Sequence, residues 1–460
     1  MTAVIPLAST TSRATVAPRV ATTVCVTASA MVSLAPSLLP RSAIAQAVVT
    51  GVLVAFGFGL ASLWRRATER RTPADGSDTG TRRAVAWSGV AATAATLLLA
   101  DHWQRGLRAA TGSPPASPAH WPAVLVGAAA VTAALLLTAA GVRRLRRPGV
   151  GRVRTNRAAR RVTACVVAAT VTLAFWIGPA SRVAGAVHAG NAAAGLTLPR
   201  PQSASISGSA GSLTPWETLG GHGRRFAAEP ASPSTVRTYV GLDSAPDPDS
   251  RVRLAIRELD RAGGFARSNL VIAVPTGSGW VDANALAGFE RRFGGDVAEV
   301  AVQYSAAPSW ATFVLDRQSA AESARALYTA VAHRVSQLPP ATRPNLFVYG
   351  QSLGAMGAAA AVDGSPPPCA VLLSGLPAGV TAPDGATVLA NVSDPVVHWS
   401  PRLLVAPPRL DGTRRDAPTP PWLPLVSFLQ TTVDLLTSLD SAPGHGHRYG
   451  TDQGTALPHC

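Results

Sequence analysis

Five apolar stretches, each close to the ~20 residues that a bilayer crossing requires, crowd into the first 200 residues of this chain. They run from Val20 to Leu39, Ala43 to Leu63, Ala84 to Ala100, Trp121 to Val142, and Val162 to Ile177. Each is bounded by arginines or by Pro and Gly, a pattern that buried helices of a large water-soluble core have no reason to follow. No stretch holds an acid within its core, whereas a proton relay or ion pathway through the bilayer would call for one. The region therefore reads as an anchor or lipid-facing platform. Asp101 and His102, at the end of the third stretch, read as interface residues. The first stretch has the look of a secretory leader, but four more follow and no small-residue cleavage site precedes Pro36, so it reads as retained.

Charge sharpens the picture. The formal net charge of +16 is unevenly spread. Residues 1–200 carry 22 Arg against Glu69, Asp75, Asp78 and Asp101, while residues 201–460 hold 19 Arg against 21 acids. A nucleic-acid protein would set its basic face on a folded polar domain; here the arginines flank apolar runs, and no nucleic-acid partner is expected. Arg65, Arg66, Arg70, Arg71, Arg82 and Arg83 crowd between the second and third stretches. Nine more, from Arg143 to Arg161, lie between the fourth and fifth. The turn after the first stretch has only Arg41, and the turn after the third has Arg105 and Arg108. Arginine-rich loops stay in the cytoplasm. The expected topology is five spans in the cytoplasmic membrane, with the N-terminus inside and everything after about residue 185 outside.

From residue 188 to 234 the composition shifts to Gly, Ser, Pro and Ala, which reads as a linker. The expected division is a membrane domain over 1–187, a linker over 188–234, and a second domain over 235–460. In the last, strand-like runs (Val236–Val240, Leu270–Val274, Val297–Gln303, Leu346–Tyr349, Ala370–Leu373, Thr387–Ala390) alternate with helical ones (Arg251–Ala262, Glu322–Val335, Gly354–Val362). That alternation predicts an α/β domain with a mostly parallel sheet.

One motif carries chemistry. Gly350-Gln351-Ser352-Leu353-Gly354 is a G-x-S-x-G sequence between a strand and a helix, the setting of a nucleophile elbow. The serine sits on a strained turn that tolerates no side chains two residues away on either side. Such a serine needs a base, and the base an acid, in the chain order Ser, Asp or Glu, His. Asp394 follows a strand in Asn391-Val-Ser-Asp-Pro395 and is the candidate acid, ahead of Asp363, Asp384, Asp411, Asp416, Asp434 and Asp440. The base is sought in Gly444-His445-Gly446-His447, with His445 preferred over His447. His398 and His333 read as structural or surface residues. Backbone N–H groups of Leu353 and of Thr276 or Gly277, in the Gly-rich turn after Leu270–Val274, are the candidate oxyanion donors. That turn lacks the lysine of a phosphate-binding loop and the third glycine of a dinucleotide fingerprint. Cys369 and Cys460 suit either a disulfide in an oxidising compartment or two free thiols. No metal site and no cofactor is implied.

At these residues the chain resembles a family of bacterial membrane proteins, common in actinobacteria, that joins an N-terminal multi-span membrane domain to a C-terminal α/β-hydrolase domain. The resemblance rests on Pro36-Ser-Leu-Leu-Pro-Arg41, Tyr239-Val-Gly-Leu-Asp-Ser244, Thr276-Gly-Ser-Gly-Trp-Val-Asp282, Gln303-Tyr-Ser305 with Pro308-Ser-Trp310, Gly350-Gln-Ser-Leu-Gly354, Ser393-Asp-Pro-Val-Val397 with Trp399, and Gly444-His-Gly-His447 with Tyr449. It implies a serine hydrolase that uses Ser352, Asp394 and one of the paired histidines. The resemblance supplies no substrate; the spans, by proximity to lipid, lead to the expectation of a membrane-bound esterase or lipase-like enzyme whose partners are the lipid bilayer and an acyl-ester, thioester or envelope-lipid substrate. The alternatives are an envelope-lipid acyltransferase and a non-catalytic membrane scaffold that keeps the fold.

Overall fold

The structure, a computed structural model, describes residues 19–68, 78–145, 180–450 other than 308, 310, 311, 314 and 315, and 452–458 and 460. Two compact units emerge. One comprises Met1–Pro36, Arg41–Arg105 and Ala116–Val167, and the other Ser37–Pro40, Gly106–Pro115 and Ala168–Cys460.

In the first unit the described helices are α1 (Val20–Ser33), α2 (Ala43–Thr68), α3 (Thr79–Ala110, of which the residues from Gly106 on count with the second unit) and α4 (His120–Leu145). Among the described residues three of them, within α2, α3 and α4, are long and apolar enough to cross a membrane. The first expected span is shorter: α1 has 14 residues and stops at Ser33, before Pro36, where a helix would lose a backbone donor. The fifth, Val162–Ile177, lies outside the described residues. Where these helices approach, glycines stand at the close contacts. A β-carbon on Gly51 of α2 would stand 2.6 Å from Val131 of α4, and one on Gly57 would stand 2.7 Å from Ser29 of α1. Small residues let apolar helices pack by close contact where no hydrophobic driving force exists between them.

The second unit contains α5 (Ala180–Ala193) and α6 (Gly220–Ala228), then β1 (Val236–Val240), α7 (Pro248–Ala262), β2 (Asn269–Val274), α8 (Ala283–Phe293) and β3 (Val297–Val302). There follow α9 (Gln318–Ser336), β4 (Asn345–Gln351), α10 (Leu353–Val362), β5 (Ala370–Ser374), β6 (Thr387–Leu389), α11 (Pro395–His398), α12 (Val426–Leu435) and α13 (Asp452–Thr455). The six strands form one sheet, ordered β1-β3-β2-β4-β5-β6, and every pairing is parallel.

Parallel strands are buried on both faces, and the side-chain alternation of a strand sorts them into two cores. Leu270, Ile272, Val274, Val348, Val371 and Leu373 face α7, α9 and α10. Val271, Ala273, Phe347, Tyr349 and Leu372 face α8 and the residues around Trp216, Leu219 and Phe226. α7 shows how such a helix is bounded: Asp247 accepts from the Ser250 N–H at its start, Pro248 opens the first turn, and Gly263, at φ 77°, closes it.

The segment 188–234, expected as a linker, is folded against the sheet. Ile206 bridges to Arg237, so this stretch runs beside β1. Its small residues are hydrogen-bonding partners: Ser212 donates to the buried Glu258 (2.6 Å), as does the Leu213 N–H (2.9 Å). Trp216 and Leu219 are fully packed. Composition suggested flexibility, but serines that satisfy a buried carboxylate are ordered by it.

Candidate active site

Strand order places the site. The chain leaves β2 toward β3 on one side and leaves β4 toward β5 on the other, so the neighbouring β2 and β4 diverge at their carboxyl ends. Such a switch point opens a crevice. Register aligns the edge: Val274 pairs with Gly350, Gln351 with Ser374, and Ser374 with Leu389. The turns after β2, β4, β5 and β6 therefore start at one level.

The turn after β4 is the G-x-S-x-G motif. Ser352 has φ 59° and ψ −124°, a conformation that costs a residue with a β-carbon ~1–3 kcal/mol and persists only where surroundings enforce it. Here they do. The Ser352 N–H donates to the Ser374 carbonyl (2.9 Å), and Ala355 and Met356 donate back to the Ser352 carbonyl. A β-carbon on Gly350 would collide with the Gly354 carbonyl, and one on Gly354 with the Val274 carbonyl. Both glycines are thus required by backbone packing, and the serine side chain is left half-exposed at the start of α10. Its hydroxyl makes no hydrogen bond among the described residues.

The acid and base positions come from two further turns. Asp394 caps α11, accepting from the Val396 N–H through Oδ1 (2.9 Å). Its Oδ2 accepts from His447 Nδ1 (2.8 Å) and from the Tyr449 hydroxyl (2.7 Å). The side chain is buried. Burial alone would raise its pKa, but the charge and hydrogen bond of His447, with the Tyr449 and Val396 donors, hold it below the usual carboxylate value. Because Nδ1 faces a carboxylate it carries the proton, which leaves Nε2 as the imidazole's acceptor. The pair rests on the step after β5: a β-carbon on Gly375, at φ 58°, would lie 2.7 Å from His447 Cε1 and 2.9 Å from Asp394 Oδ2. Ser374, whose carbonyl receives the Ser352 N–H, is the residue before it. The serine elbow and the imidazole therefore share one strand end.

Of the two histidines, the one expected second, His447, is the one that meets Asp394. His445 Nδ1 faces Asp416 Oδ2 instead, at 3.3 Å. Asp416, one of the rejected acids, arrives because residues 390–393 and 414–416 run side by side. Arg414 N–H donates to the Ala390 carbonyl (2.7 Å), Val392 N–H to the Arg414 carbonyl (2.8 Å), and Ser393 N–H to Asp416 Oδ1 (3.1 Å). Ser393 Oγ donates to Asp416 and accepts from the Gly446 N–H (2.7 Å). His398 is buried, with Nε2 against the Val392 carbonyl (2.7 Å), a structural role.

The candidate oxyanion donors narrow. The Thr276 N–H is taken by the Trp280 carbonyl (2.9 Å), closing the turn after β2, so of the pair Thr276 and Gly277 only Gly277 remains. Tyr239 hydroxyl donates to the Gly279 carbonyl (2.7 Å), and Gln303 Nε2 to the Ser278 carbonyl (2.8 Å), bracing that turn from below. Leu353 opens α10, where the N–H has no carbonyl one turn earlier to bond.

Sequence reasoning missed the supports. Gln351 Nε2 donates to the His447 carbonyl (2.8 Å), while Gln453 takes the Tyr349 hydroxyl (2.8 Å) and donates to Asp282 (2.7 Å). Gln351, Tyr349, Asp282 and Gln453 are all buried; Gln351 and Asp282 fall within quoted motifs, but nothing local in the sequence marks their bonding. Cys369, just before β5, is disulfide-bonded to Cys460, with their Cα atoms 5.6 Å apart.

A wholly parallel sheet with a strained serine turn at its switch point, and a carboxylate–imidazole pair reaching it from two later turns, defines an α/β-hydrolase. The chain belongs to an alpha/beta-hydrolase family: residues 236–380 and 382–457 match the family, and residues 34–230 match the family's N-terminus. No curated protein and no solved structure shows significant similarity to it.

Proposed function

We propose that this chain is a membrane-bound serine hydrolase that cleaves acyl esters or thioesters through a Ser352 acyl-enzyme. The carrying observation is the Asp394–His447 pair seated on Gly375, next to the strand end that fixes Ser352. As His447 Nε2 and the hydroxyl close to about 3 Å, the ring takes the Ser352 proton while Oγ attacks the acyl carbon. The carbonyl oxygen becomes an oxyanion and meets the N–H groups of Leu353 and Gly277. Collapse breaks the bond to the leaving alcohol or thiol, which takes the proton from His447. Water, deprotonated by the same ring, then releases the acid and restores Ser352. Asp394 stays ionised throughout and stabilises the transient imidazolium.

The site faces away from the cytoplasm in this reading. The arginine bias of the loops supports it, and so does the Cys369–Cys460 bond, since disulfides persist in oxidising compartments. Membrane placement makes acyl lipids and envelope esters the favoured substrates.

A fluorophosphonate probe on membranes containing the full chain tests the reading. The expected result is covalent labelling that Ser352→Ala abolishes. A folded wild-type chain that takes no label, or a Ser352→Ala variant that labels equally, would overturn it in favour of a scaffold.

A further inference from the structure

The Asp394 carboxylate carries one more donor than a Ser-His-Asp arrangement needs. Its Oδ2, the atom facing the imidazole, also accepts from the Tyr449 hydroxyl at 2.7 Å. The placement follows from chain geometry. His447 lies in the turn His445–Arg448, closed by the Arg448 N–H on the His445 carbonyl (3.2 Å), and Tyr449 follows directly, so one short turn delivers both side chains to Asp394. Their rings meet nearly edge-on, with centroids 6.1 Å apart. The phenol is buried at 2% exposure, and the Asn391 N–H approaches its oxygen at 3.4 Å. One hydroxyl thus joins the base-bearing loop, the acid and the backbone before the acid. Burial and the neighbouring Asp394 charge push the Tyr449 pKa well up, so the group stays protonated and can only act as a donor to Asp394.

We propose that Tyr449 is a positioning residue that acts through Asp394, holding Oδ2 in line with His447 Nδ1 and drawing charge from it. This rests on the serine-hydrolase reading above. Two consequences follow from electrostatics. A carboxylate relieved of the phenol keeps only the Val396 and His447 bonds and is held less firmly about its Cβ–Cγ bond, and it presents more negative charge to the imidazolium, which makes His447 more basic. Activity then falls, and the pH at which the base becomes active rises.

The test is the rate of fluorophosphonate labelling of the full chain in membranes, followed against pH. Tyr449→Phe keeps the ring packing and deletes only the donor. It is expected to label about tenfold more slowly, with the acid limb of the pH profile moved up by roughly half a unit or more. A 3-fluorotyrosine at position 449, a stronger donor of nearly the same shape, is expected to move the limb the opposite way, and it serves where the Phe variant fails to accumulate. In an Asp394→Asn background, Tyr449→Phe is expected to add no further loss. Slower labelling with an unmoved limb means mere packing and overturns the proposal, as does an additive loss in the double variant. If wild type labels, Ser352→Ala does not, and the limb stays put, only the role of Tyr449 falls; if wild type does not label, the enzymatic reading falls with it.

Discussion

His445 and His447 stand two residues apart, in one loop bracketed by glycines, and each faces an aspartate, yet their surroundings differ in every respect that matters for proton transfer. The His447–Asp394 contact is 2.8 Å, with side chains 6% and 0% exposed; the His445–Asp416 contact is 3.3 Å, with the histidine 24% exposed. Asp394 collects His447, Tyr449 and Val396 as donors and is held in its charged form. Asp416 is occupied by the backbone and hydroxyl of Ser393, so it serves as a clamp between loops. Only the first pair rests on the end of β5 beside the serine elbow. The same aspartate–histidine pairing thus occurs in two settings, and the one that adjoins the serine elbow is the one proposed as the base.

The largest expected contrast is between the two histidines themselves. His447→Ala should lower the rate of ester turnover by about a thousandfold or more, since removing the base leaves only binding and the oxyanion donors. His445→Ala should cost less than about tenfold, through loosening of the loop alone. Measuring turnover of a chromogenic ester by both purified variants in detergent checks this, and a His445→Ala loss equal to that of His447→Ala would sink the distinction.

Gly375→Ala comes next. The residue has a positive φ, and its new methyl would lie under 3 Å from both His447 and Asp394. A displacement near 1 Å of the base costs about a hundredfold when the geometry must be held tightly. The expected outcome is that loss in turnover, with the His445–Asp416 pair untouched. Full activity in a folded Gly375→Ala protein would mean that the pair does not operate where it stands.

Asp416→Asn should show the reverse profile, changing stability more than rate. It keeps the size of the side chain but weakens bonds to the Ser393 N–H, the Ser393 hydroxyl and His445. Leaving such buried donors poorly matched costs about 1–3 kcal/mol. Thermal unfolding of the hydrolase unit should shift down by the corresponding few degrees, with turnover within about tenfold of wild type. A collapse of activity without loss of stability would assign Asp416 to the chemistry.

The same contrast explains what the residues disclosed in advance. The elbow was legible because its requirement is local: Gly350 and Gly354 exclude β-carbons that backbone atoms would strike, and the strand and helix around them have their own periodicity. The place of Asp394 after a strand was legible, and the six strands were legible to within two residues at each end from β-rich runs. Which histidine meets Asp394 was not, because it turns on which side of a flexible-looking loop meets the end of β5, a contact 72 residues away in sequence. Nor was Thr276, whose N–H is consumed by a turn that sequence shows only as glycines. The folded state of 188–234 depends on Glu258, far along the chain, which makes serines into ligands. The salt bridges of Arg237 to Glu299 (2.8 Å) and Glu290 (2.6 Å) are equally distant, and a strand pattern reads such charges as exposed. The bounds of α12 were not legible, because Leu429 within it and Leu425 and Leu436 at its two ends are exposed, which blurs the stripe that marks an amphipathic helix.

The smallest effect, and the most discriminating, belongs to Ser393, the hinge between the two pairs. It precedes Asp394, donates to Asp416, and accepts the Gly446 N–H that lies between the histidines. Ser393→Ala removes both bonds while leaving each aspartate–histidine contact in place. The expected cost is about 1 kcal/mol in stability, and about threefold in turnover as the His447 loop loosens. If Ser393 works only through Asp416, the double variant Ser393→Ala/Asp416→Asn should lose less than the sum of the two single losses, a coupling that thermal unfolding of all three proteins measures. If the losses add, Gly446 is the contact that matters, and the clamp on the base is the serine hydroxyl alone. A turnover loss near that of Gly375→Ala would erase the separation between the pairs and make them one network.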